Sequence, residues 1–315
     1  MKALVLDTDS ALRVTELPEP EPGPGEVAVH VEFAGVQWGD VLVRDGHFPT
    51  PRPFVPGFEA GGRIVAVGAG VDENRIGQRV AALLQSGAYA QVAIASSILA
   101  LDATGVDARS AAAFGWVTPT AYDLINNVAR VSPGDTVLIH AAAGGVGTLA
   151  GQFATTAGAA RVVGVVGHTG QVAYARRFGY HDVLTKDEFP EALGTEQFDV
   201  ILDPIGGPTR SRNLELLAPH GRIAVYGNIA TFDPVTVSAN DLLMRGQSML
   251  AYNSNLLSQT RPERLARSAA RALALVAEGA VRLNITAEYE LADTETAIAN
   301  LADGSTQGKS IVRIP

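Results

Sequence analysis

The sequence predicts an α/β protein in which a β-rich segment precedes a doubly wound parallel sheet. Short valine-rich runs separated by Gly/Pro turns fill roughly the first hundred residues. From residue 132 onward, strand and helix patterns alternate, and a glycine cluster lies between one strand and the helix after it. Strands that alternate with helices at this spacing form βαβ units, which build a parallel sheet.

The composition limits the possible functions. With 315 residues, 47% of them hydrophobic, the chain is long enough for about two domains and too apolar to be disordered. It has no cysteine, which excludes disulfides, a cysteine nucleophile, iron–sulfur clusters and cysteine-ligated zinc. The 24 basic and 33 acidic residues give a net charge of −9, whereas sequence-independent nucleic-acid binding needs a basic surface. We therefore expect a globular enzyme with no nucleic-acid partner.

The sequence also argues against export and membrane insertion. Asp7 lies where a signal peptide needs an apolar stretch. The uncharged stretch 141–160 has about the length of a membrane span. Its five glycines and three threonines instead indicate a turn followed by a buried helix. We expect a cytoplasmic protein that does not bind membranes.

In the first segment, strand patterns are separated by proline-rich loops. Residues 18–25 and 47–56 hold the two proline clusters and are predicted loops. The predicted strands cover residues 1–6, 27–33, 63–67, 79–84 and 89–95.

From residue 110 the pattern changes. Residues 110–126 are alanine-rich and predict a helix, and residues 132–135 predict a turn. The strands predicted beyond it are 136–140, 161–166, 183–184, 198–203 and 222–226, and the helices are 146–157, 171–178 and 211–217. A helix over 261–278 and a strand over 309–314 form a tail too short to be a domain. We expect this tail to fold back onto the first segment, which gives one domain of residues 1–117 plus 252–315 and another of residues 118–251.

The glycine cluster matches a dinucleotide-binding turn. Ala142, Gly144 and Gly147 follow a predicted strand and open a predicted helix, with alanine in the first place of the G-x-G-x-x-G spacing. Gly144 lets the backbone approach a pyrophosphate, and Gly147 lets the helix pack tightly on the strand. The helix N-terminus offers N–H groups to the phosphates. The sequence therefore predicts a bound dinucleotide; the alternative is a tight turn that binds nothing.

The end of the next strand indicates which dinucleotide binds. Proteins that bind NAD place an acid about 20 residues beyond the fingerprint, where it bonds the ribose 2′-hydroxyl. Here the corresponding residues are Gly167, His168 and Thr169, which leave room for a 2′-phosphate and can donate to it. Three basic residues could add positive charge near the 2′-phosphate: Arg176, Arg177 and Lys186. The alternative is that they are ordinary surface residues. We therefore expect NADPH rather than NADH.

A set of short motifs, in order over nearly the whole chain, resembles one protein family. The motifs are GVQWGD at 35–40, VLVRDG at 41–46, VPGFEAGG at 55–62, TPTAY at 118–122, HAAAGGVG at 140–147, DPIG at 203–206, YGN at 226–228 and QGKSIVR at 307–313. Together they resemble the zinc-independent medium-chain dehydrogenase/reductases of the quinone oxidoreductase (zeta-crystallin-like) group. The resemblance implies a GroES-like catalytic domain built from both chain ends, with a Rossmann domain inserted in it and NADPH in the cleft.

The resemblance also implies a reaction and a set of cofactor-binding residues. The reaction is hydride transfer to a small molecule, either a quinone or an α,β-unsaturated carbonyl compound such as an enone or enoyl thioester. Besides Gly167, His168, Thr169 and Lys186, the implied cofactor-binding residues are Thr120, Ala143, Gly144, Gly145, Val146, Asp203, Ile205, Tyr226, Gly227, Asn228, Tyr252, Asn253, Ser254 and Lys309.

Gln37 and Asp40 are the candidate catalytic residues. The oxygen that gains charge needs hydrogen-bond donors, and Gln37 keeps an amide where the family commonly has a shorter asparagine. Asp40 is a candidate base, although such a residue more often orders its own loop. Phe48 replaces a tyrosine that is frequent in the family, so water is the expected proton source. The aromatic residues that could line a flat apolar pocket, or equally pack in the core, are Trp38, Phe48, Trp116, Phe232 and Tyr252.

No metal is expected. Zinc-dependent relatives carry Gly-His-Glu where this chain has Phe58 between Gly57 and Glu59, and the chain has no cysteine. No two histidines have the i, i+4 spacing of a helical zinc site; they are His30, His47, His140, His168, His181 and His220.

Two short runs of strand-forming residues indicate how copies of the chain could associate. Residues 235–237 and 249–252 predict strands near one end of the parallel sheet. An exposed sheet edge is a hazard unless it is covered or paired, and proteins of the resembled family commonly pair there. We therefore expect a homodimer.

A non-redox function on the same scaffold is the alternative. The chain could be a cyclase of a reactive biosynthetic intermediate, or a binding protein without catalysis, because likeness of fold does not fix function. An intact glycine turn favours a protein that has kept its cofactor. The nicotinamide absorbance of a mixture of protein, NADPH and a simple quinone would separate the two functions.

Overall fold

The computed structural model describes residues 1–315, which form two compact units. The first unit comprises Met1–Pro119 together with Leu257–Pro315, and the second comprises Thr120–Leu256. Segments from both halves of the chain thus build one unit. None of the helices combines the length and apolarity that a membrane span requires.

Strands and helices alternate most regularly in the second unit. The strands, in chain order, are β1 (Lys2–Leu6), β2 (Leu12–Glu16), β3 (Glu26–Gly35), β4 (Glu59–Val67), β5 (Arg79–Leu83), β6 (Val92–Ser96), β7 (Ala100–Asp102), β8 (Thr136–His140), β9 (Arg161–Val166), β10 (Asp182–Thr185), β11 (Phe198–Asp203), β12 (Leu217–Val225), β13 (Ser248–Ala251), β14 (Ile285–Glu290) and β15 (Lys309–Arg313). The α-helices are α1 (Trp38–Arg44), α2 (Ala108–Phe114), α3 (Val117–Asp123), α4 (Gly145–Thr156), α5 (Val172–Ala175), α6 (Gly207–Glu215), α7 (Ala239–Arg245), α8 (Ser254–Thr260), α9 (Pro262–Ala277) and α10 (Thr294–Ala302).

The first unit is built on a mainly antiparallel sheet. Its seven strands run in the order β14-β15-β3-β4-β5-β7, with β6 also paired to β3, and β1 and β2 form a separate hairpin. Only the β14–β15 pair is parallel. The last strand of the chain therefore lies beside β3, as the predicted fold-back of the tail requires. Small and β-branched side chains such as Val29, Ala60 and Val312 fill the core.

The predicted helix 110–126 is interrupted by a buried carboxylate. α2 ends at Gly115, whose φ is +22° and where a Cβ would overlap the Glu59 side chain. The turn allows Trp116 N to donate to Glu59 Oε2 at 2.7 Å. α3 then begins at Val117 and continues into a π-helical turn over Leu124–Val128.

The second unit confirms the predicted doubly wound sheet. Its six strands are all parallel and run in the order β10-β9-β8-β11-β12-β13. The chain winds from β8 outward to β10 and then from β11 outward in the opposite direction. Apolar strand residues such as Leu138, Val163 and Ile201 are fully buried, as expected for a parallel sheet that is covered on both faces.

Several local predictions are wrong. Residues 235–237 form no strand, and β13 alone extends the sheet beyond β12. β-branched residues favour a strand only where a neighbouring strand pairs with them. Helix α6 starts before the predicted 211–217, and the predicted strand 222–226 is the second half of β12. The elements that were not predicted are β2, β7, β14, α1, α7, α8 and α10.

Candidate functional site

All six strands of the second unit end at the same edge of the sheet. A predicted cofactor-binding residue lies either at the end of each strand or in the loop that follows it. From β8 to β13 these residues are Gly144, Gly167, Lys186, Asp203, Tyr226 and Tyr252. In doubly wound sheets, ligands bind beyond the carboxyl ends of the strands, where the strand order reverses. Here the reversal lies between β8 and β11.

The turn between β8 and α4 has the features of a phosphate-binding turn. Gly144 is the N-cap residue of α4, and no side chain caps this helix. Ala141 has φ +53°, a left-handed conformation that costs a residue with a side chain about 1–2 kcal/mol. Its carbonyl accepts from Gly144 N at 2.9 Å. Backbone strain beside an uncapped helix N-terminus is typical of a ligand-binding turn.

Gly144 and Gly147 have different packing. At Gly147 a Cβ would overlap the Ala141 carbonyl and lie 2.7 Å from Ala142 Cα, so helix–strand packing requires glycine there. At Gly144 the one close neighbour of a Cβ would be Ala141 O, at 3.3 Å. Packing within the chain therefore does not require glycine at 144, whereas close approach of a pyrophosphate does.

Ala142, in place of the first fingerprint glycine, is accommodated by a glycine on the neighbouring strand. Gly164 of β9 faces it, and a Cβ at 164 would lie 2.8 Å from the Ala142 methyl group. Tyr180 packs against Gly164 as well, and its hydroxyl donates to Gly147 O at 2.6 Å. Because burial raises the pKa of Tyr180, this hydroxyl stays protonated and remains a donor to the turn.

The residues predicted to bind the 2′-phosphate are exposed. Gly167, His168 and Thr169 follow β9, and Lys186 follows the adjacent strand β10. Gln171 is buried instead, and its Oε1 accepts from Gly167 N at 3.0 Å. The glutamine side chain thus supports the turn from within, and Lys186 is an exposed cation at the same edge.

The two predicted arginines beyond this turn have other surroundings. The Arg177 guanidinium lies 5.6 Å from the centroid of the Tyr174 ring and 5.7 Å from that of Phe178. Arg176 is exposed within the same 3₁₀ turn, Arg176–Phe178. Stacking on two aromatic rings gives Arg177 a structural role that the sequence did not predict.

A buried ion pair fixes the loops after β11 and β12. Asp203 accepts from Ile205 N at 2.7 Å and from Arg210 Nε at 2.8 Å. Arg210 also donates to Asn228 Oδ1 at 3.0 Å and to Gly227 O at 2.7 Å. A planar guanidinium with several donors can hold both loops at once. Asp203 therefore positions Ile205, Gly227 and Asn228, and Arg210 is a residue that sequence reasoning missed.

The remaining predicted residues of the second unit lie around the same edge or beneath it. The Tyr252 hydroxyl donates to Asp123 Oδ2 at 2.7 Å, and Asn253 Oδ1 accepts from Leu256 N at 2.9 Å in the first turn of α8. Burial, with the nearby Asp203 charge, raises the pKa of Tyr226. The others are Gly145 and Val146 in the first turn of α4, Ser254 at the start of α8, and the buried Thr120 and Ala143.

In the first unit, Gln37 and Asp40 cap helix α1. Gln37 Oε1 accepts from Gly39 N at 3.1 Å, and Asp40 Oδ2 accepts from Gln37 N at 2.9 Å. Asp40 is 1% exposed, and burial raises its pKa to about 7. A carboxyl group that is shielded in this way and bonded to its own loop orders that loop. Asp40 thus has the loop-ordering geometry that the sequence left open as the alternative to a base.

Lys309 and Glu59 form a buried pair behind this helix. Lys309 donates to the Glu59 carboxylate and, at 2.7 Å, to the carbonyl of Val36, the residue before Gln37. Lys309 is 4% exposed and Glu59 is fully buried. These two bonds give Lys309 a supporting role beneath helix α1, and its predicted contact with the cofactor stays a prediction.

The predicted pocket aromatics differ in exposure. Trp116 packs in the core of the first unit, where its Nε1 donates to Phe58 O at 2.7 Å, so it does not line an open pocket. Trp38 is half-buried against the same core. Phe48 and Phe232 are 42% and 55% exposed, and can still meet a ligand.

The residues present do not fit a metal site. No three His, Cys, Asp or Glu side chains lie together as metal binding requires. His140, at the end of β8, is buried and its Nε2 pairs with Asn213 Oδ1 at 2.8 Å. Burial lowers the pKa of His140, which keeps the ring neutral in this structural role.

Family models match both parts of the chain. The model of the alcohol dehydrogenase GroES-like domain matches residues 23–115, and the model of the zinc-binding dehydrogenases matches residues 145–271. The second match begins at Gly145, at the start of α4, and covers strands β9 to β13 of the parallel sheet.

Individual relatives narrow the family. The quinone oxidoreductase of Pseudomonas aeruginosa is 30% identical over 302 residues, which make up 93% of this chain and 92% of that protein. A mycocerosic acid synthase-like polyketide synthase of Mycolicibacterium smegmatis is 30% identical over 303 residues, but the chain spans only 14% of its length. The quinone oxidoreductase of Thermus thermophilus, solved alone and in complex with NADPH, is 31% identical with a TM-score of 0.84 over 100% of both chains. On these matches and on the shared architecture, the chain belongs to the quinone oxidoreductase group of the medium-chain dehydrogenase/reductase family.

Proposed function

We propose that this protein catalyses the NADPH-dependent reduction of a quinone or an α,β-unsaturated carbonyl compound without a metal. Gly144 carries the proposal, because packing leaves room for a side chain there and the uncapped helix N-terminus beside it suits a pyrophosphate. The complex of the Thermus thermophilus relative with NADPH supports the choice of cofactor. When bound, NADPH supplies the hydride.

The residues at the carboxyl edge of the second unit hold different parts of the cofactor. Main-chain N–H groups at Gly145 and Val146 bind the pyrophosphate, which the missing side chain of Gly144 allows to approach. The exposed side chains of His168 and Lys186 donate to the 2′-phosphate. The Asp203–Arg210 pair keeps the loops after β11 and β12 in place, which orients the nicotinamide end.

Gln37 serves the electron acceptor. Its amide N–H₂ donates to the oxygen that gains negative charge, and a donor placed in advance stabilises that charge. Asp40 holds the main chain of Gln37 in position but is shielded from the substrate. Phe48 has no proton to give, so water protonates the product.

The test is to mix the protein, NADPH and either a simple quinone or an enone, and to follow the nicotinamide absorbance. We expect oxidation of NADPH with at least one acceptor, and the same rate after exhaustive chelation. A matched Gly144→Val variant should show none. NADPH oxidation by neither acceptor would favour the cyclase or binding-protein alternative, and stoichiometric zinc whose removal abolishes activity would contradict metal independence.

We also propose that β13 is a dimer edge. No further strand of the chain pairs with it, and Leu243 and Met244 of the adjoining helix α7 are 76% and 84% exposed. An open sheet edge beside exposed apolar side chains favours self-pairing. Light scattering at micromolar concentration should give twice the chain mass of 32.8 kDa, and Met244→Lys should shift the mass toward that of one chain. A single-chain mass for the wild type would refute the dimer.

A further inference from the structure

The N-cap residue of α1 is unusual. Side-chain caps are most often Asn, Asp, Ser or Thr, whose side chains are short enough to reach a first-turn N–H directly. Gln37 is one methylene longer than asparagine, so its side chain must fold back over the helix to make the same bond. It does so, because Gln37 Oε1 accepts from Gly39 N at 3.1 Å.

The fold-back depends on the absence of a side chain at position 39. A Cβ on Gly39 would lie 2.6 Å from Gln37 Nε2 and 3.2 Å from Gln37 Cδ. All the nearest neighbours of that Cβ belong to Gln37, and the φ of Gly39 is not in the left-handed region. Neither the backbone nor the rest of the core therefore requires glycine here. Since alanine favours a helix more than glycine does, helix stability does not explain Gly39 either.

The same contact decides which end of the amide is presented to a ligand. The Gly39 N–H needs an acceptor, so Oε1 of Gln37 is bound to the helix, and Nε2, the donor end, lies over Gly39 without an acceptor from the protein. Asp40 holds the Gln37 main chain from the other side of the capping box. The half-buried amide is thus anchored by its oxygen and available through its nitrogen.

We infer that Gly39 is a positioning residue for the reaction, because it lets Gln37 anchor Oε1 on the helix and direct Nε2 to the acceptor oxygen. The inference rests on the proposed role of Gln37 as a donor. A methyl group at position 39 displaces the mobile end of a side chain and not the backbone. The fold is then retained while the donor is misplaced.

The experiment compares Gly39→Ala in two backgrounds. An asparagine at position 37 caps from a shorter side chain and does not lie over residue 39. With NADPH and one simple quinone, Gly39→Ala should lower kcat/KM about ten- to a hundredfold when residue 37 is glutamine. In the Gln37→Asn background, the same change should alter kcat/KM by no more than about twofold. The Tm of Gly39→Ala should equal or exceed that of the wild type.

Two outcomes would overturn the inference: an unchanged kcat/KM for Gly39→Ala, or an equal loss in both backgrounds. Gln37→Ala separates this failure from failure of the proposed function. If Gln37→Ala loses about a hundredfold in kcat while Gly39→Ala loses nothing, only the role of Gly39 is wrong. If Gln37→Ala keeps the full kcat, Gln37 is not the donor, and both the inference and that part of the proposed function are wrong.

Discussion

Helices α4 and α1 begin at the two candidate sites, and their first turns differ. α4 opens at Gly144 with no side-chain cap, whereas Gln37 and Asp40 both form capping bonds at the start of α1. An uncapped N-terminus leaves main-chain donors and a partial positive charge for an anion. A capped one has used its donors and can present only side chains. The comparison supports our proposals that phosphate binds to the backbone of the second unit and that the first unit acts on the acceptor through a side chain.

The largest expected effect is on the free energy of unfolding, through the buried Lys309–Glu59 pair behind the capped helix α1. Lys309→Met leaves the Glu59 carboxylate buried without its partner and removes the bond to Val36 O. We expect the free energy of unfolding to fall by about 3–5 kcal/mol in urea titrations. Arg313→Met, on the same strand but in an exposed ion pair with Glu288, is the control and should cost about 1 kcal/mol or less. Equal losses in the two variants would mean that the buried ion pair contributes no more to stability than the exposed one does.

A pH dependence should distinguish the capped helix from the uncapped one. The pKa of Asp40 is about 7 in the folded protein and about 4 in the unfolded chain. The folded state therefore binds this proton more tightly, so the free energy of unfolding should fall as pH rises through this window, by about 4 kcal/mol in total. Asp40→Asn should remove this contribution, which urea titrations at several pH values would measure. A difference between variant and wild type that is constant from pH 4 to pH 7 would contradict the prediction.

The uncapped turn can be tested by two glycine replacements. Gly144→Val places a side chain where packing is open, so it should lower NADPH affinity by at least about a hundredfold and leave the Tm nearly unchanged. Gly147→Val meets the Ala141 backbone and should destabilise the fold itself. Fluorescence titration and thermal melting separate the two effects. Unchanged NADPH affinity in Gly144→Val would show that the turn is not the binding site.

The smallest expected effect concerns the choice between NADPH and NADH. Gly167→Asp repels a 2′-phosphate and can bond a 2′-hydroxyl, and a Cβ at this position meets only Gln171 Oε1, at 3.3 Å. The ratio of kcat/KM for NADPH to that for NADH should fall about ten- to a hundredfold. Ala173→Asp, which adds the same charge at an exposed position of α5, should leave the ratio near its wild-type value. A wild-type preference for NADH would mean that the phosphate is not recognised here.

Features encoded by neighbouring residues could be predicted from the sequence. The strand, glycine turn and helix at 136–157 follow from local periodicity, and the order of such units gave the parallel sheet. The pairing of Glu59 with Lys309 could not be predicted in this way, because the partners are 250 residues apart. Helix α1 was missed because its cap is an uncommon one, Gln37. Arg210 could not be singled out either, because Arg212 on the same helix is exposed and pairs with Glu215.

The place of β15 has a consequence for how the chain folds as it is synthesised. Residues 33–35 of β3 pair with β15, so they lack this partner until residue 313 has been added. The second unit, in contrast, has all its residues once position 256 is reached. At about 5–20 residues per second, synthesis from residue 120 to residue 313 takes roughly 10–40 seconds. During that time the nascent chain carries an unpaired edge on strand β3, whereas the second unit can already fold. The first unit is therefore the one most exposed to aggregation and most dependent on chaperones.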